Sequence, residues 1–170
     1  PYYQSALEEA FKLHQANVDE FEKDTPLQPP FDFSLYQWEQ NYFFEHFVSR
    51  FISMRPRELA KLQKDDRLRR LAKELDALPR FLIHRDFQSQ NILIHNGQAS
   101  LVDYQGMRLG RPEYDVASLL FDPYVNPGVE ERAEMLRFYY DLWQSSALKI
   151  ADNFETFSRQ VHLTGVQRMM

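Results

Sequence analysis

The sequence of 170 residues contains no cysteine. This absence excludes a disulfide framework, a thiolate metal site and a cysteine nucleophile, and it is typical of proteins in a reducing compartment. The sequence also has no apolar run near the roughly 18 residues that a membrane span requires. From these two features we expect a cytoplasmic protein without a membrane partner.

An excess of basic residues is also lacking. The chain has 20 Lys and Arg against 25 Asp and Glu, which gives a formal net charge of −5. Nucleic-acid binding requires a concentrated basic face. The densest basic run, Arg67 to Lys73, is interleaved with leucines at helical spacing and is typical of the exposed face of an amphipathic helix. We therefore expect no nucleic-acid partner.

Apolar residues are plentiful, at 44% of the chain with 15% aromatic, so one domain over residues 1–170 can bury a substantial core. Their periodicity predicts helices on both sides of a short β segment. The fold class we expect is α+β, mainly α. Before the β segment, the predicted elements are a helix from Tyr2 to about Asp24, a proline-rich connector from Thr25 to Phe33, a helix capped by Ser34 that reaches about Met54, and a helix from Pro56 to about Leu78. After the β segment, helices are predicted over about 112–121, 129–150 and 154–170.

The β segment lies in the middle of the chain. Two apolar runs, Phe81 to His84 and Ile92 to His95, are followed by Asn96-Gly97 and a further apolar stretch. Asn-Gly favours a two-residue type I′ turn, because both central residues of that turn need positive φ. The sequence therefore predicts a hairpin in which His95 faces Gln98.

Three oxygen-bearing side chains meet at the open end of this hairpin. In the predicted register, Asn91 lies opposite Val102, Asp103 follows one step further, and Asp86 is in the loop that enters the first strand. Oxygen ligands suit Mg²⁺, which takes few protein ligands and completes its shell with phosphate and water. This arrangement is typical of sites that transfer phosphoryl groups.

The spacing His84-x-Asp86-(x)4-Asn91, with the hairpin and Asp103 after it, resembles the catalytic and metal loops of the protein-kinase-like superfamily. Within that superfamily, the sequence is similar to the aminoglycoside-phosphotransferase and choline-kinase-like small-molecule kinases. The resemblance implies that Asp86 is the catalytic aspartate. It also implies that Asn91 and Asp103 bind Mg²⁺ on the phosphates of ATP, and that His84 supports the loop.

The segment after Asp103 separates small-molecule kinases from protein kinases. Gln88 and Gln90 occupy positions where protein kinases carry Lys or Arg, and YQGMRLGRPEY leaves no room for a long activation segment. The stretch Gly110 to Leu120 fits the compact G-x-P-x-x-D pattern of small-molecule kinases. The resemblance implies that Asp115 is buried and accepts backbone hydrogen bonds from the catalytic loop. As a helix N-terminal acid it is also stabilising on electrostatic grounds.

Further stretches resemble the bacterial kinases that phosphorylate the anomeric hydroxyl of N-acetylmuramate or N-acetylglucosamine. This resemblance implies an amino-sugar acceptor contacted by Arg85, Gln88 and Glu39. Two alternatives stay open: Glu39 as a solvated helical residue, and Arg85 as the partner of a neighbouring acid. The stretches that carry this resemblance to the amino-sugar kinases are Pro29 to Val48, Arg85 to Asn91 and Thr164 to Met170.

Glycine is scarce, with five residues in the chain and no G-x-G-x-x-G. Kinases hold the nucleotide phosphates with a Gly-rich loop and a strand lysine, and the family places that lobe before a segment like this one. We therefore expect the C-terminal lobe of a longer kinase, with the missing N-terminal lobe of the same chain as its partner. Two alternatives to an amino-sugar kinase are a kinase for another small hydroxyl compound, such as an aminoglycoside or choline, and a non-catalytic kinase-like module.

Overall fold

The computed structural model describes residues 1–21 and 26–170. Over these ranges the protein is mainly helical, with small antiparallel sheets. The helices are α1 (Tyr2–His14), α2 (Val18–Phe21), α3 (Phe33–Phe43), α4 (Ser49–Phe51), α5 (Pro56–Gln63), α6 (Asp66–Asp76), α7 (Pro112–Leu120), α8 (Val129–Gln144) and α9 (Phe154–Arg168). The strands are β1 (Phe81–Ile83), β2 (Ile92–His95), β3 (Gln98–Leu101) and β4 (Arg108–Gly110).

The predicted hairpin is confirmed. Strands β2 and β3 pair antiparallel, with His95 opposite Gln98 and Ile92 opposite Leu101. Asn96 and Gly97 have φ values of 50° and 79°, as a type I′ turn requires. One position beyond the ladder, the backbone N–H of Val102 donates to the carbonyl of Asn91 at 3.0 Å, so the hairpin closes directly onto the preceding loop.

The second sheet contains a strand that the sequence did not indicate. Strand β4 pairs antiparallel with β1, and residues of the proline-rich connector run along its other edge. The backbone N–H groups of Gln28 and Phe31 donate to the carbonyls of Met107 and Leu109, at 2.9 and 2.8 Å. The connector thereby covers an edge of this sheet.

Helix boundaries differ from the predicted ones where local capping was misread. Helix α1 ends at His14, and residues 22–25, which include the predicted helix end and the first connector residue, lie outside the described residues. Asp32, not Ser34, caps α3 and accepts the N–H of Leu35 at 2.8 Å. The helix predicted from Pro56 to Leu78 is divided in two, because Asp65 caps a new helix.

Beyond α3, the chain continues through a π-helical segment, Phe44–Val48, into α4. The helical spacing of the aromatic residues in this region favours a buried stripe, but several of them are exposed. Trp38 is 57% exposed, and Tyr42, Phe47 and Phe51 are exposed as well. Their ring stacking runs along the surface of the helix.

Helix α7 lies at the centre of the molecule and is buried along its whole length. It packs closely against α9, where Gly165 faces Phe121: a Cβ added at Gly165 would lie 2.8 Å from Phe121 Cε2. Helices α1 and α8 pack on the other side of the main core. The loop that follows β1 is therefore supported by a rigid central helix.

Within the described ranges, no helix is both long enough and apolar enough to cross a membrane.

Candidate active site

The loop between β1 and β2 is held at both ends by buried carboxylates. Asp115, on the buried helix α7, accepts the backbone N–H of His84 at 2.7 Å and that of Arg85 at 2.8 Å. Asp122, just after α7, accepts the backbone N–H of Ser89 at 2.7 Å. Two buried acceptors thus hold the backbone on either side of Asp86.

Asp115 has a third partner from the first helix of the chain. His14 is fully buried, and its Nε2 lies 2.9 Å from Asp115 Oδ2. Because a carboxylate only accepts, Nε2 carries the proton, and Nδ1 of a neutral imidazole then accepts from the Tyr139 hydroxyl at 2.5 Å. Burying a carboxylate is costly unless it is well hydrogen-bonded, and three donors meet that requirement here. Spacing in the sequence gave no sign of this long-range partner.

His84 joins the loop to the hairpin. Its side chain is buried, and Nε2 donates to the carbonyl of Val102 at 2.9 Å. Val102 immediately precedes Asp103, so this bond fixes the backbone at which Asp103 leaves the hairpin. In the described part of the chain, Nδ1 of His84 has no hydrogen-bond partner.

Two residues of the site have left-handed backbone conformations that residues other than glycine rarely adopt. Arg85 has φ 75° and Asp103 has φ 70°. Such conformations cost on the order of 1–3 kcal/mol and persist where the surroundings impose them. Here the hydrogen bonds of Asp115 and His84 impose them, and both strained residues flank the same small region.

Asp86 is the one acidic residue of the loop, and its side chain is 26% exposed. Its Oδ2 accepts from Arg85 Nη1 at 3.0 Å and lies 3.0 Å from the position that a Cβ on Gly106 would occupy. Its Oδ1 lies 4.0 Å from Arg168 Nη2 and, among the described residues, accepts no hydrogen bond. One oxygen is thus held in place while the other can receive a donor.

Asn91 and Asp103 supply oxygens suited to a hard cation. Asn91 Nδ2 donates to the carbonyl of Asp86 at 2.8 Å, which fixes the orientation of the amide and leaves Oδ1 as a potential ligand. Asp103 is exposed at the end of the hairpin. No group of three or more His, Asp or Glu residues that could hold a metal ion is found in the described ranges. A cation at this site would therefore need phosphate or water oxygens, as Mg²⁺ prefers.

Glu39 is not a freely solvated helical residue. Its two oxygens accept from the Tyr114 hydroxyl at 3.2 Å and from Gln167 Nε2 at 3.0 Å. Gln167 is itself fully buried and accepts from Gln40 Nε2 at 2.8 Å. Burial raises the pKa of Glu39, although the hydrogen bonds from Gln167 and Tyr114 act in the opposite direction.

The remaining predicted substrate residues differ in their placement. Arg85 pairs with its neighbour Asp86, which was one of the alternatives. Gln88 is engaged within its own loop, because its Oε1 accepts from Gln90 Nε2 at 3.1 Å. Arg168, to which the sequence assigned no role, approaches Asp86 from the last turn of α9. Its position in the stretch Thr164 to Met170 was the available signal.

Comparison with protein families gives one match that covers most of the chain. A model described as "Phosphotransferase enzyme family" matches residues 2–148. The match includes the loop, the hairpin and helix α7, and it ends after α8.

Two bacterial proteins named N-acetylmuramate/N-acetylglucosamine kinase are similar in sequence. The one from Neisseria meningitidis serogroup B is 29% identical over 171 residues, covering 96% of this chain and 47% of that protein. The one from Pseudomonas putida is 28% identical over 145 residues, covering 85% of this chain and 42% of that protein. The chain thus spans less than half the length of these curated relatives.

Two solved structures share the fold. The Plasmodium vivax ethanolamine kinase superposes with a TM-score of 0.57 at 18% identity, over 98% of this chain and 51% of that one. An aminoglycoside-3'-phosphotransferase of type VIII gives 0.53 at 15% identity, over 96% of this chain and 60% of that one. These protein-kinase-like neighbours confirm the expected fold relationship. The assignment to a particular lobe stays a prediction.

Proposed function

Because the chain belongs to the phosphotransferase enzyme family, we propose that it forms the acceptor-binding and metal-binding part of a small-molecule kinase. The proposed reaction is transfer of the γ-phosphoryl group of ATP to a hydroxyl group of an amino sugar. The supporting observation is the convergence of Asp86, Asn91 and the end of the hairpin on one rigid loop. The names of the bacterial relatives favour an amino sugar over other acceptors.

Asp86 is proposed to act on the acceptor hydroxyl. Its Oδ2 is held by Arg85 at 3.0 Å, and its Oδ1 accepts no hydrogen bond from the described residues, so Oδ1 can accept the hydroxyl proton as the new bond to phosphorus forms. Phosphoryl transfer proceeds through a loose transition state, so the base orients the hydroxyl and takes its proton late. The buried supports Asp115 and Asp122 keep Asp86 in one position, which is the main contribution a protein makes to such a reaction.

Asn91 and Asp103 are proposed to bind Mg²⁺ on the nucleotide phosphates. The amide of Asn91 is turned by its bond to the Asp86 carbonyl, and Asp103 is fixed by its neighbour Val102. When bound, Mg²⁺ would offset the negative charge on the phosphate oxygens. Asn91 bonds the Asp86 carbonyl, and Val102, the residue before Asp103, bonds both Asn91 and His84, so the positions of the phosphate donor and of the acceptor are set by the same small unit.

We further propose that the rest of a longer chain completes the enzyme. The chain spans less than half of its curated relatives, and its sequence has no Gly-rich phosphate loop. The partners we propose are therefore the nucleotide, the acceptor and an N-terminal lobe of the same protein. Transfer requires positioning from both sides of the phosphate.

The test uses the full-length protein with ATP and Mg²⁺. Release of ADP is measured with N-acetylmuramate, N-acetylglucosamine, other sugars, choline, ethanolamine and aminoglycosides. We expect Asp86→Asn to lower kcat about 100-fold or more, since general base groups contribute factors of that size, with little change in ATP affinity. We expect Asp103→Ala to weaken MgATP binding as well.

The matched control is Asp141→Asn, on the exposed face of α8, which should leave the rate unchanged. An unchanged rate in Asp86→Asn would show that the roles are wrongly assigned. Turnover of only choline or an aminoglycoside would keep the reaction class and change the acceptor. Nucleotide binding without any turnover would favour the non-catalytic module.

A further inference from the structure

Three arginines converge on Asp86 from separate elements. Arg85 is the preceding residue, Arg108 lies in β4, and Arg168 ends α9. Arg85 bonds Asp86 directly, and Arg168 lies 4.0 Å from it. Arg108 is anchored at Gly106, whose Cα faces Asp86 and Arg85. The sequence separates these residues, and the fold brings them together.

Arg108 and Arg168 are each fixed through one nitrogen. Arg108 Nε donates to the Gly106 carbonyl at 3.1 Å, and Arg168 Nε donates to Ser118 Oγ at 3.2 Å. Each guanidinium also lies over an aromatic ring, Phe31 at 5.1 Å and Tyr114 at 5.7 Å. Within the described residues, the terminal nitrogens of both make no hydrogen bond. The terminal nitrogens of two fixed guanidinium groups are thus available to donate hydrogen bonds to a bound ligand.

The charges of this cluster do not balance. Three guanidinium groups face two carboxylates, those of Asp86 and Glu39, which leaves an excess of one positive charge. Burial and then the charge of Arg85 lower the pKa of Arg108, although an arginine stays protonated near neutral pH. An excess of positive charge around a carboxylate attracts anions and repels cations.

An anion at this cluster has two possible sources, a carboxylate on the acceptor or a phosphate of the nucleotide. The metal-binding hairpin packs against α1, whereas α9 packs against α7. Arg168 therefore reaches Asp86 from the α7 and α9 side, where Glu39 and Gln167 also lie. The phosphates belong with Asn91 and Asp103, so the arginine side is left for the acceptor.

We propose that Arg108 and Arg168 form a carboxylate-binding subsite, which distinguishes an amino-sugar acceptor that bears a carboxylate from the same ring without one. This inference rests on the proposed function. N-acetylmuramate has such a carboxylate on its lactyl ether, whereas N-acetylglucosamine has the same ring without it. A guanidinium fork matches a carboxylate in geometry and can bond it through two nitrogens. The same cluster disfavours cationic acceptors such as choline and aminoglycosides.

The test measures binding and turnover in the full-length protein. Calorimetry compares N-acetylmuramate with its methyl ester, which keeps the shape and removes the charge. We expect the acid to bind about 10-fold to 100-fold more tightly, the range of a charge-assisted hydrogen-bond pair. In Arg168→Gln and Arg108→Gln this preference should fall to about threefold or less, while KM for ATP changes little.

The matched control is Arg159→Gln, on the same helix as Arg168 and paired with Glu74, which should keep the full preference for the acid. Thermal unfolding of each variant shows whether the fold is retained, and Arg168→Lys should restore part of the preference.

Equal binding of acid and ester would overturn the inference, and turnover of N-acetylglucosamine in the same protein would leave the proposed function standing. A rise in KM for ATP with both sugars in Arg168→Gln would assign the arginines to phosphate and also overturn it. Acid-selective binding without turnover would keep the carboxylate site and refute the transfer reaction.

Discussion

Asp86 and Asp115 carry the same functional group and have opposite surroundings. Asp115 is fully buried and receives two backbone N–H groups and a histidine, so its oxygens are occupied by the fold. Asp86 is partly exposed and has one oxygen free of hydrogen bonds among the described residues. Burial and the number of donors distinguish the structural carboxylate of Asp115 from the candidate reactive carboxylate of Asp86. The sequence motif predicts a role for both residues, but it does not show this difference in their surroundings.

Glu39 gives a pH-dependent prediction at the scale of one side chain. Burial raises its pKa above the ordinary value of 4.5, so the native state holds a proton over a range in which the unfolded chain has lost it. The stability associated with that proton is present below the ordinary pKa and is lost as pH rises through the raised pKa. Replacing Glu39 with Gln removes this titration.

We therefore expect wild type to lose stability relative to Glu39→Gln as pH rises above the ordinary glutamate pKa of 4.5. The measurement is the free energy of unfolding of the 170-residue chain in urea at several pH values. Glu45→Gln, at an exposed position shortly after α3, is the control and should show no such relative change. A constant difference between Glu39→Gln and wild type across the range would contradict the raised pKa.

At the scale of elements, the sequence correctly predicted those helices and strands whose positions depend on residues close together in the chain. The β2–β3 hairpin followed from Asn96-Gly97, because a two-residue turn fixes the register of both strands. Strand β4 was missed, because its three residues pair with β1 and the connector across long sequence separations. The cap of α3 was misplaced by two residues, since Asp32 and Ser34 both have capping side chains, and only the backbone shows which one accepts the N–H of Leu35.

The α7–α9 contact gives a prediction about helix packing. A Cβ at Gly165 would lie 2.8 Å from Phe121 Cε2, closer than van der Waals contact allows. Alanine in place of a helical glycine gains up to about 1 kcal/mol in helix propensity, whereas overpacking costs about 1–3 kcal/mol. We expect Gly165→Ala to be destabilising on balance by about 1 kcal/mol.

This change should also displace α9 and, with it, Arg168 and Gln167. Urea unfolding of the 170-residue chain measures the loss of stability. Phe121→Leu combined with Gly165→Ala is the control, because a smaller side chain makes room for the methyl group and should recover part of the loss. A Gly165→Ala variant more stable than wild type would show that helix propensity outweighs the clash.

At the scale of the whole molecule, both ends of the chain support one central loop. Helix α1 brings His14 to Asp115, and the last turn of α9 brings Gln167 to Glu39 and Arg168 to Asp86. The candidate site residues of the motif could be proposed from the sequence because they lie within about twenty residues of one another. Among the supporting residues, Asp115 was also predicted, whereas His14 and Gln167 were not, since each lies more than a hundred residues from its partner in the chain and carries no local pattern. Folding of the whole described chain is therefore a condition for the geometry at Asp86.

The 170-residue chain alone should fold and yet transfer phosphate poorly. Its loop and the residues proposed to bind Mg²⁺ are held within the chain, but nothing in its sequence resembles the Gly-rich loop that holds nucleotide phosphates from the opposite side. Positioning supplies a large share of the rate in phosphoryl transfer, so we expect turnover at least about 1000-fold below that of the full-length protein, with weak binding of MgATP. Assays of ADP release and nucleotide titration on both proteins measure this difference, and a chelator should abolish tight nucleotide binding by the full-length form. The chain carrying Asp86→Asn controls for contaminating kinases. Robust phosphorylation by the wild-type chain, absent from that control, would show that the 170 residues are sufficient for catalysis and that no further lobe is required.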